Sequence, residues 1–98
     1  MDMGLNSSEE QIKDIIREAL KDEEVTIILY GSRSRGNARR NSDYDIALKS
    51  GKPLPSVLLS EIKFRLEESN IPFKVDIVDL EKVSIELKRN ILEEGVVW

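Results

Sequence analysis

The stretch 29-LYGSRSRGNARRNSDYDIAL-48 places a glycine–serine pair, a basic loop and two aspartates between two apolar segments. The apolar run before Gly31 is rich in β-branched residues, and the glycine interrupts it, which favours a strand that ends in a turn. From Asp43 onward, polar and apolar residues alternate, so Asp43 and Asp45 point to one face of a second strand. The stretch therefore predicts a strand, a turn-containing loop and a second strand that carries two carboxylates on one face.

Helical and strand patterns continue on both sides of this stretch. Apolar residues recur at helical spacing before and after it, and a further β-branched run follows the second helix. The predicted elements are a helix capped by Ser7 or Ser8 with Glu10 or Gln11 completing a capping box, a strand over 25–30, a strand over 43–48, a helix over 56–69, a strand over 73–80, a helix over 84–94 with Gly95 as its C′ residue, and a short strand or hydrophobic tail over 96–98.

The order of these elements, α-β-(turn)-β-α-β-α, constrains the sheet. A helix that connects the second and third strands favours a parallel, right-handed pair. The glycine turn then meets the aspartates only if the first strand runs antiparallel to the second. We therefore expect an α/β (α+β) fold in which a small mixed sheet carries helices mainly on one face, within a single domain spanning residues 1–98.

Composition excludes several classes of chemistry. The chain contains no cysteine and no histidine, which excludes disulfides, cysteine–zinc sites and the most common general base. Catalysis would therefore depend on carboxylates, hydroxyls, lysine, arginine or a hard metal ion. The net charge of −4 argues against broad binding to nucleic acid. Without an apolar run of membrane-spanning length or a signal-peptide pattern, we expect a cytoplasmic protein that does not enter a membrane.

The aspartate pair suggests a metal site. Residues i and i+2 of a strand have Cα atoms about 6.5 Å apart, and two carboxylates on one face can clamp metal ions roughly 3.5–4 Å apart. A divalent cation removes the repulsion between Asp43 and Asp45. Oxygen ligands without histidine favour magnesium or manganese over zinc. For a bare D-x-D pair, two solvated aspartates at a strand edge are a common alternative.

The glycine–serine pair suggests a phosphate site. Gly31 lets the backbone turn sharply and approach a ligand, while the N–H groups that follow and the Ser32 hydroxyl can donate to phosphate oxygens. Arg33 or Arg35 can neutralise terminal phosphates. The Lys-Ser/Thr that a Walker A loop requires after its second glycine is absent. A plain turn and a solvated basic loop are the alternatives.

The combination of these motifs is more specific than each motif alone. Gly31-Ser32, ten intervening residues and Asp43-Tyr-Asp45 lie between two strands, and a third acid, Asp76, lies in a later strand. This arrangement resembles the signature of the DNA polymerase beta-like nucleotidyltransferase superfamily, which is G-[GS] after the first strand and [DE]-x-[DE] on the second. The resemblance spans nearly the whole chain, and the chain's size resembles that of the minimal nucleotidyltransferase (MNT) subgroup.

This resemblance implies a nucleotidyltransferase fold and a two-metal mechanism with two magnesium ions, or manganese, and ATP as substrate. Asp76 would complete the metal site and help deprotonate the attacking hydroxyl. Asp79 is the rival third acid, but it falls on the opposite face of its strand. The implied catalytic and metal-binding residues are Asp43, Asp45 and Asp76, and the implied nucleotide-binding residues are Gly31, Ser32, Arg33 and Arg35.

The resemblance also implies a partner. The MNT subgroup is known mainly as the antitoxin half of HEPN/MNT toxin–antitoxin pairs, in which AMP is transferred from ATP to a tyrosine of a helical HEPN ribonuclease within a hetero-oligomer. The apolar end, residues 96–98, is a candidate partner surface or else a strand that covers the core edge. Two other functions remain open: neutralisation of a toxin by binding alone, and transfer of a nucleotide to a small molecule or an RNA end.

Overall fold

The computed structural model describes residues 7–34 and 43–98 of the chain. Its elements are α1 (Ser7–Ala19), β1 (Thr26–Tyr30), a 3-10 turn (Gly31–Arg33), β2 (Tyr44–Lys49), α2 (Ser56–Glu68), β3 (Val75–Asp79), α3 (Ile85–Glu94) and β4 (Val96–Val97). The predicted order of helices and strands is confirmed, with small shifts at the boundaries. Because α1 begins at Ser7, the predicted cap at Ser7 or Ser8 falls inside the first helical turn instead of preceding it.

The four strands form one mixed sheet in the order β3-β2-β1-β4. β1 is antiparallel to both β2 and β4, whereas β2 and β3 are parallel. The parallel pair follows from the crossover through α2, as predicted from the element order. The chain's apolar end forms β4, which pairs with the outer edge of β1, so the strand alternative for this segment is the one observed.

Two helices cover one face of the sheet, and the main core lies beneath them. The strands alternate in burial, and every second residue of β2 points into this core. α1 contributes Ile12 and Ile16, the residue after it contributes Leu20, and α2 contributes Ile62 and Leu66. Burying an isoleucine or leucine side chain fully contributes roughly 1.5–3 kcal/mol, so this layer supplies much of the stability. No helix in the described parts of the chain is both long and apolar enough to cross a membrane.

The opposite face of the sheet carries a smaller cluster beneath α3. Ile91 of α3 packs with Ile28 and Ala47 of the central strands and with Leu80, which follows β3. The helices therefore lie mainly on one face, as expected, with α3 alone on the other. Asp45 lies on this same face of the sheet, two residues before Ala47 in β2.

The two ends of α3 show one clear cap and one correction. Ser84 precedes the helix, and its Oγ accepts a hydrogen bond from the Leu87 N–H at 3.2 Å. Gly95 follows the last helical residue and ends the helix, as predicted, but as its C-cap instead of its C′ residue, and in an extended conformation with φ −69° and ψ 152°. A Cβ on Gly95 would collide with the Ile28 side chain and the Ile91 carbonyl oxygen. Close packing where α3 turns into β4 is therefore the reason for this glycine.

Candidate active site

Asp45 and Asp76 lie side by side on neighbouring strands. They are register partners in the parallel β2–β3 pair, and both are half-buried. Neighbouring strands lie about 4.8 Å apart, and side chains of paired residues point to the same face. The predicted pairing of the second-strand acid with the third acid is thus present in the fold.

Asp43 lies one residue before β2 and is exposed. Its charge nevertheless reaches Asp45. Burial raises the pKa of Asp45 above its ordinary value, and the negative charges of Asp76 and then Asp43 raise that pKa further, while the positive charge of Lys74 lowers it. The three acids and Lys74 therefore share one electrostatic environment.

The acid group suits a hard divalent cation in its chemistry. It offers only carboxylate oxygens, and a cation would relieve both the burial of the Asp45 charge and the repulsion from its neighbours, which together raise the pKa of Asp45. In the parts of the chain that the structure describes, however, no three acidic side chains are close enough together to hold one ion jointly. The structure therefore pairs Asp45 with Asp76, and a metal site that also includes Asp43 stays a prediction.

The glycine turn lies directly against Asp45. Gly31 has φ +78°, a left-handed conformation that residues with a Cβ rarely adopt. A Cβ built on Gly31 would lie 2.5 Å from Oδ2 of Asp45, closer than real Cβ contacts allow. The backbone of the turn and the carboxylate can approach in this way only because the residue is glycine. The predicted meeting of turn and acids is confirmed.

A short 3-10 turn follows the glycine and holds Ser32. The Ser34 N–H and Oγ both donate to the Gly31 carbonyl oxygen, at 3.1 and 2.8 Å, and so close the turn. Ser32 is half-buried within it, beside the backbone that contacts Asp45. Arg35, the other predicted phosphate ligand in the loop, lies outside the described residues. Phosphate binding by Ser32 and the turn amides stays a prediction.

Arg33 packs against two aromatic rings. Its guanidinium carbon lies 3.9 Å from the centroid of the Tyr44 ring and 4.9 Å from that of Phe73. These two rings meet edge-to-face with centroids 5.6 Å apart. Tyr44 points to the sheet face opposite Asp45, so the cation–π contacts anchor the turn from the core side. A phosphate contact by Arg33 stays a prediction beside this structural role.

Tyr30 is a site residue that the sequence reasoning missed. It is the cross-strand partner of Asp45 and lies on the same face of the sheet. Burial raises the pKa of its phenol, and the charges of Asp45 and Asp76 raise that pKa further. The antiparallel pairing of the strands on either side of the glycine turn was the signal that could have identified it.

Asp79 serves the structure of the loops that flank the sheet. It is buried, on the face opposite Asp76, and its two carboxylate oxygens accept hydrogen bonds from the backbone N–H groups of Leu54 at 2.7 Å and Glu81 at 2.9 Å. The carboxylate thereby ties the connection between β2 and α2, which contains Leu54, to the connection between β3 and α3, which contains Glu81. This arrangement agrees with the choice of Asp76 over Asp79 as the third acid.

The sequence of this chain matches a known family over most of its length. Residues 10–97 match the family "Polymerase beta, Nucleotidyltransferase". The chain belongs to this nucleotidyltransferase family. It is also 31% identical over 86 residues to a probable protein adenylyltransferase MntA of Haemophilus influenzae, covering 88% of this chain and 74% of the relative. The protein adenylyltransferase MntA of Shewanella oneidensis is 36% identical over 69 residues, which cover 70% of this chain and about half, 49%, of the relative.

The fold of this chain also matches that of a chain in a solved complex. A chain in the structure of tri-AMPylated Shewanella oneidensis HEPN toxin in complex with MNT antitoxin matches with a TM-score of 0.69 and 26% identity. The match covers 95% of this chain and 71% of the other. The resemblance to minimal nucleotidyltransferases drawn from the glycine–serine and aspartate motifs is therefore confirmed.

Proposed function

We propose that this nucleotidyltransferase moves AMP from ATP to a hydroxyl group, a tyrosine, of a HEPN toxin and thereby acts as its antitoxin. The observation that carries the proposal is the contact between Gly31 and Asp45, with Asp76 beside Asp45 on the next strand. Turn amides for phosphate and carboxylates for a divalent ion are thus adjacent, which is the arrangement that phosphoryl transfer needs.

The acids hold the metal ions, and the turn holds the triphosphate. Asp43, Asp45 and Asp76 would supply the oxygen ligands for two magnesium ions. When bound, magnesium neutralises phosphate charge and lowers the pKa of a coordinated hydroxyl. Ser32 and the amides after Gly31 donate to the β- and γ-phosphates. The reaction requires only positioning and charge stabilisation, without a covalent enzyme intermediate. This requirement suits a chain that has no histidine and no cysteine.

The reaction is an in-line displacement at the α-phosphorus. A bond forms between the acceptor oxygen and that phosphorus while the bond to the bridging oxygen of the departing pyrophosphate breaks. The proton of the acceptor hydroxyl passes to the carboxylate of Asp76.

The proposed partner and acceptor are inferred from the proteins that this chain resembles. Two of them are adenylyltransferases, and one matched structure contains an AMPylated HEPN toxin beside an MNT antitoxin. We infer that this chain forms a hetero-oligomer with a HEPN toxin and modifies it in the cytoplasm, where ATP is available. No surface of this chain is assigned to that toxin by the likeness itself.

Mass spectrometry of the partner tests the proposal. The protein is incubated with isotope-labelled ATP, magnesium and the HEPN-type protein encoded beside it, and the intact mass of that protein is measured. We expect one or more labelled AMP units on a tyrosine, and none with the Asp43→Asn, Asp45→Asn double variant. If that variant leaves the partner unmodified yet still neutralises its toxicity in cells, neutralisation occurs by binding alone and the proposed role of catalysis is wrong.

A further inference from the structure

An aromatic pair on the core side of the sheet connects the glycine turn to both acid-bearing strands. Tyr44 is buried in the main core, Phe73 packs against that core, and Arg33 reaches from the turn to both rings. Tyr44 immediately precedes Asp45 in β2, and Phe73 comes three residues before Asp76 of β3. The contacts of one guanidinium therefore join the turn to the two segments that carry the paired acids.

We propose that Arg33 is a positioning residue for nucleotide binding: its guanidinium, held on Tyr44 and Phe73, fixes the turn amides relative to the acids and does not itself contact phosphate. The inference rests on the proposed function, in which those amides hold the triphosphate. It replaces the phosphate contact that the sequence predicts for Arg33 with an action through the backbone of the turn.

The direction of the Arg33 side chain supports this role. Neighbouring residues of a strand point to opposite faces, so Tyr44 faces the core and Asp45 faces the other side of the sheet. The guanidinium carbon lies 3.9 Å from the centroid of the Tyr44 ring, which places it on the face opposite the Asp45 carboxylate. A triphosphate bound beside Asp45 would therefore meet the backbone of the turn, and the guanidinium would lie behind that backbone.

The two rings suit a guanidinium better than an ammonium. They meet edge-to-face with centroids 5.6 Å apart, and the guanidinium carbon lies 4.9 Å from the centroid of Phe73. A planar guanidinium stacks on aromatic faces and is more weakly hydrated than an ammonium, so lysine is a poor substitute at a stacked site. At a phosphate contact lysine serves as a point charge and is a good substitute. Arg33→Lys therefore distinguishes the two roles.

The rings are themselves held in place by the sheet and the core. The Tyr44 N–H donates to the Lys74 carbonyl oxygen at 2.9 Å, which ties the start of β2 to the residue after Phe73. The Tyr44 ring also meets the Trp98 ring, with centroids 6.2 Å apart. Arg33 thus attaches the turn to side chains that packing has already fixed, which is what precise placement of binding groups requires.

Lys13 provides a matched control. It is half-buried like Arg33, and its Nζ lies 5.0 Å from the centroid of the Trp98 ring, so it contacts the same aromatic cluster. It belongs to α1, however, and not to the turn. Lys13→Met and Arg33→Met each remove a cation–π contact, but only Arg33→Met releases the turn. Only Arg33→Met should therefore weaken nucleotide binding.

NMR of the Arg33 side chain tests the inference without requiring catalysis. Protons held over the face of an aromatic ring are shifted upfield by its ring current, so we expect upfield resonances for the Arg33 side chain in the free protein. Addition of magnesium and a non-hydrolysable ATP analogue should shift the amide resonances of Gly31 and Ser32 and leave these upfield shifts in place. Loss of the upfield shifts as the analogue binds would show that Arg33 moves to the phosphates and would overturn the inference.

Transfer of AMP is measured in parallel, so that the two proposals fail in different ways. With the HEPN partner and ATP, Arg33→Lys and Arg33→Met should each raise KM for ATP about tenfold, within the range of a cation–π contact, and leave KM for the partner unchanged. Phe73→Leu should raise KM for ATP less, because the Tyr44 ring remains, and should add nothing to Arg33→Met. Lys13→Met should change neither KM.

The outcomes separate the two proposals. A wild-type KM for ATP in Arg33→Lys, or additive effects of Phe73→Leu and Arg33→Met, would overturn the positioning role. Upfield shifts that persist with the bound analogue, together with the expected change in its affinity in the Arg33 variants but no transfer of AMP to the partner, would leave the positioning role standing and overturn the proposed function.

Discussion

At the scale of single residues, Gly31 and Asp45 depend on each other. The left-handed backbone conformation at Gly31 brings the turn next to the Asp45 carboxylate, and the absence of a side chain on Gly31 leaves room for Oδ2 of Asp45. Gly51 has nearly the same φ, +81°, but a Cβ there would have nothing within 4 Å. Alanine substitutions at the two positions therefore distinguish the effect of backbone strain, which both share, from the effect of displacing the Asp45 carboxylate, which only Gly31→Ala has.

Replacing Gly31 with alanine should abolish AMP transfer as well as strain the turn. Both Gly31→Ala and Gly51→Ala place a Cβ residue at positive φ, which costs about 1–2 kcal/mol. Only Gly31→Ala also pushes the Asp45 carboxylate away. Chemical denaturation should show similar losses of stability for both variants, and transfer assays should show a loss of at least about 100-fold for Gly31→Ala alone, the scale that a 1 Å misplacement can reach. Equal activity in the two variants would contradict the contact's role.

Asp45 and Asp79 should respond oppositely to the same substitution. The raised pKa of Asp45 means that its ionised form is disfavoured in the folded state, so Asp45→Asn should leave stability at neutral pH unchanged or higher while it removes activity. Asp79→Asn removes one of the two acceptors that its buried carboxylate provides, at a cost of about 1–3 kcal/mol. Unfolding curves and transfer rates of both variants check this pair; a destabilised Asp45→Asn protein would be the contrary result.

At the scale of elements, the helix ends show how far local sequence determines local structure. Ser84 caps α3 through its Oγ, whereas α2 begins after Pro55 without a side-chain cap. Ser84→Ala should therefore lower the free energy of unfolding by about 1 kcal/mol, and Ser56→Ala, in the first turn of α2, should change it little. Urea denaturation of both variants measures the difference, and equal effects would show that the Ser84 hydrogen bond does not contribute.

Most elements could be predicted from the sequence because the information is local. The period-2 pattern from Asp43 and the β-branched run before Gly31 specify β2 and β1 on their own. Gly95 shows the limit: a side chain is excluded there by Ile28, a residue from a distant part of the chain that no local rule includes. Tyr30 was missed for the same reason, since its role appears only when β1 and β2 are paired in register.

At the scale of the whole molecule, the topology brings the site together. The antiparallel β1–β2 pair returns the chain to the glycine turn, and the parallel β2–β3 pair places Asp76 beside Asp45. The connecting helix predicted the parallel pair, and the antiparallel pair was expected as the condition for the glycine turn to meet the aspartates. The use of Arg33 to anchor the turn on aromatic rings could not be predicted, because Tyr44 and Phe73 come together only in the folded core.

Magnesium should stabilise the folded protein through these acids. A ligand that binds only the folded state raises stability with its concentration, and here it also relieves repulsion between carboxylates. Thermal unfolding of the wild type should therefore shift upward on addition of magnesium and ATP and return on addition of a chelator. The Asp45→Asn, Asp76→Asn double variant should show no shift, and a shift equal to that of the wild type would locate metal binding elsewhere.

The most direct measurement is a crystal structure of this protein with magnesium and a non-hydrolysable ATP analogue. The account predicts magnesium held by Asp45 and Asp76, with Asp43 turned toward it, and the β- and γ-phosphates against the amides that follow Gly31 and the Ser32 hydroxyl. A nucleotide bound away from the Gly31 turn, or magnesium with neither Asp45 nor Asp76 among its ligands, would contradict it.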